Sequence, residues 1–494
     1  MAGSPPGNPS VIPALIPNWI GGRELGAAGT LPKLSPHDGT VLAQTARSGA
    51  AEVSAAVAAA QAAQPGWADL PAVQRGLVLH AVVRKLQENA EAMAAVVARE
   101  TGKSVKDARG EVGGAIQLGL FFASEGQRLY GRTTTSGTMN KSVMTVRQPI
   151  GVAGLIIAAN TPIANVAWKV FPALVCGNAA VLKAAEDTPA TAWYFGRLAH
   201  EAGLPAGVLN IVQGLGHEAG AAVVDHPDVG VVSFTGSTAV GKVIHERAGR
   251  RLARVSLELG GKNPLVVCDD ADLENAVKWT LLSAFSNAGQ RCAAASRIVV
   301  FDAIYDRFRD RLVEQTKALR VGPADQDDLG PVINSRQLEN MLKAIGDARA
   351  AGARILTGGH RLTDGGRAAG NYLAPTLLEG VDPDAPLSCT ELFGPIAALY
   401  RVAGFDEALR LANRSPYGLT ACIHTKSVHR AMRFVDRVHA GMAVVNAGTF
   451  GSEPHMPFGG RKASGNGTRE PGTEALDVYS ELKCICLNFD PSAV

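Results

Sequence analysis

Apolar positions along this chain fall into two different rhythms. From about residue 50 to 128, Ala, Val and Leu recur every three or four positions, through 53–63, 73–86 and 90–97. That spacing predicts helices, with breaks at Gly66 and Pro71. From Gly151 onward, short apolar runs alternate with amphipathic stretches such as 190–202 and 238–248. The runs at 152–157, 179–182, 208–212, 231–234 and 255–259 read as strands of a parallel, doubly wound sheet, which binds its ligands at the carboxyl ends of its strands. A second series of the same kind spans about 263 to 446, with strand candidates at 265–267, 297–300, 396–400, 420–424 and 442–445. The stretches 133–147 and 476–487 have no helical period and read as strands outside both sheets. Two distant segments of that type often build an arm that pairs with another subunit.

At 494 residues, the chain is long enough for two or three domains, and 46% hydrophobic residues supply their cores. The net charge of +3 is small, with Lys and Arg interspersed among Asp and Glu, so neither nucleic acid nor a lipid surface is an expected partner. The seven cysteines form no C-x-x-C pair and no zinc-spaced cluster. This usage predicts free thiols, no metal site and a reducing, cytoplasmic location. No signal peptide is read in the Pro- and Gly-rich start, whose first dozen residues are expected to be loose. The longest apolar stretches are interrupted by Asn160, Asn165 and Lys169, well short of a membrane span.

One cysteine stands apart. Cys292 ends the run Phe285-Ser286-Asn287-Ala288-Gly289-Gln290-Arg291-Cys292, where a small Gly-containing turn follows an apolar helical stretch. Such a turn gives substrate access and gathers backbone N–H groups around the sulfur, help that a free thiol titrating near ~8.5 needs in order to react. The competing reading is a small buried apolar residue. Asn160 follows the first strand of the αβ series, where its amide can donate to an oxyanion. Glu258 closes the last strand of that series, where an acid can act as a base.

No G-x-G-x-x-G occurs. Instead, Gly236 and Ser237 lie in the turn Phe234-Thr235-Gly236-Ser237-Thr238, between a strand and a helix. The turn either receives a pyrophosphate or simply caps the helix. Lys183 and Glu186 leave a strand end with donors and an acceptor suited to ribose hydroxyls. An acid there repels a 2′-phosphate, which points to NAD over NADP. A surface ion pair is the plain alternative.

Together these pieces resemble the aldehyde dehydrogenase superfamily over about residues 18 to 488. The matching motifs are L-E-L-G-G-K at 257–262, G-Q-R-C at 289–292, E-L-F-G-P at 391–395 and P-F-G-G at 457–460. The resemblance implies Cys292 as nucleophile, Glu258 as general base and Asn160 as the oxyanion-stabilising amide. It implies Lys183 and Glu186 at the adenosine ribose, Gly236 and Ser237 at the pyrophosphate, and Glu391 and Phe393 at the nicotinamide ribose and ring. The implied cofactor is NAD, with NADP as the alternative. The implied reaction oxidises an aldehyde to an acid through a cysteine thioester that water resolves. CoA-acylating relatives typically lack the glutamate matching Glu258, and a non-catalytic relative would be marked by loss of the nucleophile.

The architecture implied is α/β. A Rossmann-like cofactor-binding domain (18–129 and 149–261) joins an α/β catalytic domain (262–446) and a bridging β oligomerisation arm (130–148 and 474–490). Residues 447–473 form the substrate-entrance loop and return. The arm implies a homodimer or homotetramer. Three departures stand out: Ala158-Ala159-Asn160 replaces the usual Pro-Trp-Asn, Ala184 the proline after the ribose lysine, and Ala239 an acidic residue of the glycine turn. The segment 466–476 resembles a form found in semialdehyde-oxidising branches. Arg291 either meets a substrate carboxylate or points away as a structural residue. His455, in the loop before Pro457, reads as a packing residue.

Overall fold

Short buried apolar runs become the central strands of two seven-stranded sheets. In the first, Val152–Ile156 and Ala179–Lys183 are buried at every position, as expected of parallel strands covered on both faces. The order from one edge is Arg254–Glu258, Val229–Thr235, Val152–Ile156, Ala179–Lys183 and Leu209–Val212, all parallel. Asn18–Ile20 and Arg23–Leu25 then extend the sheet in antiparallel fashion. The second sheet runs Arg354–Thr357, Thr376–Glu379, Ile396–Val402, Ala295–Phe301, Asn263–Val267, Thr420–His424 and Met442–Val445. Only its first strand is antiparallel. The computed structural model describes residues 11–493.

The five strands expected in each αβ series are present, within a residue or two of their expected ends. Strands of two to seven residues near the amino end, including a small sheet of Leu15–Ile16, Val41–Arg47 and Gly29–Leu34, were not expected. Most are too short to show a period. The loose stretch expected at the start lies outside the described residues as far as residue 10. Ile12, by contrast, is buried against the first core.

Two further expectations are corrected. The helix Ala50–Asp69 does not break at Gly66 but runs through both Pro65 and Gly66. Trp67, 1% exposed, anchors that last turn by donating from Nε1 to the Leu174 carbonyl at 2.9 Å, so tertiary packing outweighs local propensity. The segment from 476 is also not strand throughout. Ala475–Tyr479 is a helical turn whose Ala475, Leu476, Val478 and Tyr479 bury into the first core, and this clustering of apolar positions is incompatible with strand alternation.

Beyond that turn, Ser480–Asn488 pairs antiparallel with Lys141–Pro149 over its whole length, and Thr133–Thr135 adds a third strand. This sheet stands apart from the other two.

Asn160, Lys183, Gly236 and Glu258 all lie at or just beyond the carboxyl ends of first-sheet strands. After Glu258 the chain crosses four residues and enters Asn263–Val267 of the second sheet, while Cys292 lies two residues short of its neighbour Ala295–Phe301. The carboxyl edge of one sheet therefore meets the amino edge of the other.

Candidate active site

The helix Leu273–Phe285 ends in a turn unlike any other among the described residues. Asn287, Ala288 and Gly289 are consecutively left-handed, with φ of 54°, 52° and 66°. Two non-glycine residues in that region store strain, which surrounding bonds must hold. Gln290 supplies several of them: its Nε2 donates to Pro331 O at 3.3 Å and its Oε1 accepts from Ile333 N at 2.9 Å. A side chain at Gly289 is excluded as well, because a Cβ there would lie 2.2 Å from the Gly394 carbonyl oxygen. Beyond the turn, Asn263 Nδ2 donates to the Cys292 carbonyl at 2.7 Å and Thr449 Oγ1 to that of Ala293 at 2.5 Å. The thiol is thus held at a fixed point.

Its environment differs from the expected one. Burial, then the nearby carboxylates Glu391 and Glu258, push the Cys292 thiol up to about 12. The N–H groups of Ala293 and Cys292 do favour the thiolate, as the turn suggested, but they are outweighed. Cys292 is a neutral thiol close to two carboxylates.

Glu391 and the Cys292 backbone approach through the double glycine. A Cβ on Gly260 would sit 1.9 Å from Glu391 Oε2, and one on Gly261 would sit 2.6 Å from Cys292 O. Only glycine permits both approaches. Glu391 Oε1 accepts the Gly261 N–H at 2.9 Å. Burial raises this carboxyl to about 7 against the opposing pull of that N–H and of Lys262. Phe393, two residues on, is left-handed at φ 57°.

Glu258 is buried, and neither carboxylate oxygen has a hydrogen-bond partner. Burial first, and then Glu470, drive its pKa well above the usual carboxylate range, while Lys169 and Arg469 pull the other way. Glu470 was not expected at the site. Its Oε2 accepts from Lys169 Nζ at 2.8 Å, and its Oε1 accepts from Ser233, Ser256 and Tyr479 at 2.8, 3.2 and 3.0 Å. A cation inside the apolar helix Pro162–Val175 was the signal in the sequence, since a buried charge requires a partner.

Asn160 Nδ2 donates to the Gln290 carbonyl at 3.0 Å, two residues before the thiol, which brings its amide to the same place. The sequence-expected Cys292, Glu258, Asn160 and Glu391 therefore converge.

The remaining expected residues lie along the first sheet's carboxyl edge. Lys183 Nζ bonds Glu186 Oε2 at 2.9 Å. Burial pushes the Glu186 carboxyl up, but Lys183, the main-chain N–H of Glu186 and Arg336 together outweigh it, leaving the group below its ordinary value and ionised. Of the three long helices on this edge, two are sealed by buried carboxylates. Glu111 accepts from Ile163 and Ala164 at the start of Pro162–Val175, and Glu100 from Ala190 and Thr191 at the start of Pro189–Glu201. The helix Thr238–Gly249 has only its own Ser237 Oγ, accepting from Val240 N at 3.4 Å. That amino end is the one still able to receive a phosphate. An ionised acid to accept from ribose hydroxyls and an open helix end to donate to phosphate are the groups that a dinucleotide requires.

Arg291 is half-buried beside the thiol, its guanidinium 4.9 Å from the Phe450 ring centre. Its Nε has no hydrogen-bond partner, and the carboxylates that act on it electrostatically are Asp107 and Glu111. Trp279 packs edge-on against Phe450, and Trp168 against Phe458. His455 is exposed, 3.9 Å from Glu453, and is not packed.

A sequence model described as "Aldehyde dehydrogenase family" matches residues 24–485. The α-ketoglutaric semialdehyde dehydrogenase of Bacillus subtilis is 38% identical over 438 residues, 88% of this chain and 90% of that protein. The α-ketoglutarate semialdehyde dehydrogenase of Haloferax volcanii is 39% identical over 435 residues, again 88% and 90%. The crystal structure of betaine aldehyde dehydrogenase from Staphylococcus aureus in complex with NAD+ superposes with a TM-score of 0.94 at 31% identity, covering 96% of this chain and 95% of that one.

Proposed function

The chain belongs to the aldehyde dehydrogenase family and is an NAD(P)-dependent oxidoreductase, and we propose that it carries out the hydrolytic form of the reaction with Cys292 as nucleophile, Asn160 as oxyanion donor and Glu258 as general base. The observation that carries this reading is Glu258: a buried carboxyl with both oxygens unpaired, close enough to the thiol to raise its pKa.

The Cys292 sulfur attacks the aldehyde carbon, and its proton passes to a nearby base, with Glu258 and Glu391 both within electrostatic reach. The Asn160 amide and the Cys292 N–H hold the oxyanion that forms. Glu391 and Phe393 would hold the nicotinamide, which would supply the hydride acceptor needed to turn the Cys292 adduct into a thioester. Glu258 then takes a proton from water as the water attacks the thioester, and the acid departs as the sulfur regains a proton. Lys183 and Glu186 serve the adenosine ribose, Gly236 and Ser237 the pyrophosphate, and Glu391 and Phe393 the nicotinamide side. The ionised Glu186 favours NAD over NADP.

We further propose a semialdehyde substrate whose distal carboxylate meets Arg291. Support comes from the unpartnered Nε of Arg291 beside the thiol and from the substrates named for the Bacillus and Haloferax relatives. A homo-oligomer built through the arm is the third element of the reading. The edge strand Ser480–Asn488 leaves Leu482 61% exposed and Leu487 50% exposed, apolar surface suited to a partner. No helix among the described residues is long and apolar enough to cross a membrane. A cytoplasmic location accords with seven unpaired thiols.

The test is NADH formation over a panel of neutral and ω-carboxylated aldehydes, with and without CoA. Turnover without CoA, fastest with the carboxylated aldehydes, is expected. An absolute requirement for CoA would refute the hydrolytic assignment.

A further inference from the structure

Lys103 lies in the short link between the helices Ala90–Thr101 and Val105–Glu125, and Glu111 lies in the second turn of the latter. Their ion pair, Nζ to Oε2 2.6 Å, is buried, with side chains 4% and 5% exposed. Buried charges of this kind persist only when paired and further hydrogen-bonded. Both partners meet that condition at the same place. Lys103 Nζ donates to the main-chain oxygen of Asn160 at 2.8 Å. The other oxygen of Glu111 accepts the main-chain N–H groups of Ile163 and Ala164 at 3.0 and 3.3 Å. One ion pair therefore holds the backbone on both sides of Thr161.

The same peptide oxygen of Asn160 also accepts from Asn287 Nδ2, at 3.4 Å, in the strained turn before the thiol. The Asn160 side-chain amide points to the Gln290 carbonyl within that turn. The direction of the amide is thus set by a backbone that Lys103 fixes from one side and the cysteine turn from the other. A donor displaced by about 1 Å from a developing oxyanion loses much of its effect.

We propose that Lys103 and Glu111 are positioning residues that act through Asn160, aiming its amide at the oxyanion formed when the Cys292 sulfur adds to the aldehyde. The proposal rests on the reading of Asn160 as an oxyanion donor. A clamp serving only stability would leave the chemistry of that amide untouched once the protein is folded.

A double-mutant cycle on the full-length enzyme separates the two. The combined variant Lys103→Met/Glu111→Gln, which leaves no lone buried charge, is compared in the native background and with Asn160→Ala. The readout is the rate of the pre-steady-state NADH burst. In the native background, the pair substitution is expected to slow the burst about 10- to 100-fold, a part of what losing an oxyanion donor costs. In the Asn160→Ala background, it should add less than about threefold, because its target is already gone.

Equal losses in both backgrounds, or no loss in the native one, would overturn the proposal. An unchanged burst in Asn160→Ala alone would instead overturn the reading of Asn160 beneath it. Should the combined variant not fold, Lys103→Arg supplies the same cycle: a smaller loss, also absorbed by Asn160→Ala, is expected, and an additive one refutes the positioning role.

Discussion

Lys169 and Glu470, 301 residues apart, form an ion pair with no solvent exposure on either side chain, Nζ to Oε2 2.8 Å. Both act electrostatically on Glu258, in opposite directions. Glu470→Gln removes a like charge and exposes Glu258 to an unpaired cation, so the pKa of Glu258 falls. The acid limb of the pH profile for thioester hydrolysis should move to lower pH. Lys169→Met removes the cation, raises the pKa and should move that limb to higher pH. Both variants should lose roughly 3–5 kcal/mol of stability, the usual effect of breaking a buried pair. Single-turnover deacylation against pH reads the first effect and chemical denaturation the second.

The thiol has its own pH signature. With Cys292 pushed up to about 12, alkylation of the cofactor-free enzyme by iodoacetamide should continue to accelerate up to about pH 10 and show no plateau near ~8.5. Glu391 is the largest charge opposing the thiolate. Glu391→Gln should therefore lower the thiol pKa and speed alkylation at about pH 8, measured as time-dependent loss of activity.

Gly289→Ala introduces a side chain at φ 66°, where its Cβ would lie 2.2 Å from the Gly394 oxygen. We expect a loss of about 1–3 kcal/mol from backbone conformation alone, with displacement of the thiol adding a large loss in kcat. Thermal unfolding and steady-state rates check the two parts separately.

Arg291→Leu tests substrate choice. KM for an ω-carboxylated aldehyde should rise by about 10-fold or more, while KM for a neutral aldehyde of equal length changes little, as removal of one charge-assisted bond implies. Equal changes for both aldehydes would remove Arg291 from substrate recognition.

Much of this site was legible because its chemistry lies in short contiguous motifs. The runs around Glu258 and Cys292 announce themselves by their glycines, and the structure gives each glycine a reason in a close approach. The central strands were equally plain, because burial on both faces leaves an unbroken apolar run. Long-range pairings were hidden. Glu470 meets Lys169 only through the fold, although a lysine inside an apolar helix had already marked one end of that pair. Lys103 and Glu111 likewise look like ordinary surface charges in the sequence, and only packing against the turn at Asn160 buries them. The state of the Cys292 thiol ran opposite to expectation. The backbone donors of a turn can be read from local sequence, whereas two carboxylates arriving from distant strands and loops cannot.

The central claim is that water, activated by Glu258, resolves a thioester on Cys292. Glu258→Gln, mixed rapidly with aldehyde and NAD+, is expected to release about one NADH per active site in a burst and then stall, with an acyl group retained on Cys292 and visible by mass spectrometry of the intact protein. Undiminished steady-state turnover in that variant, with no acyl-enzyme accumulating, would contradict it.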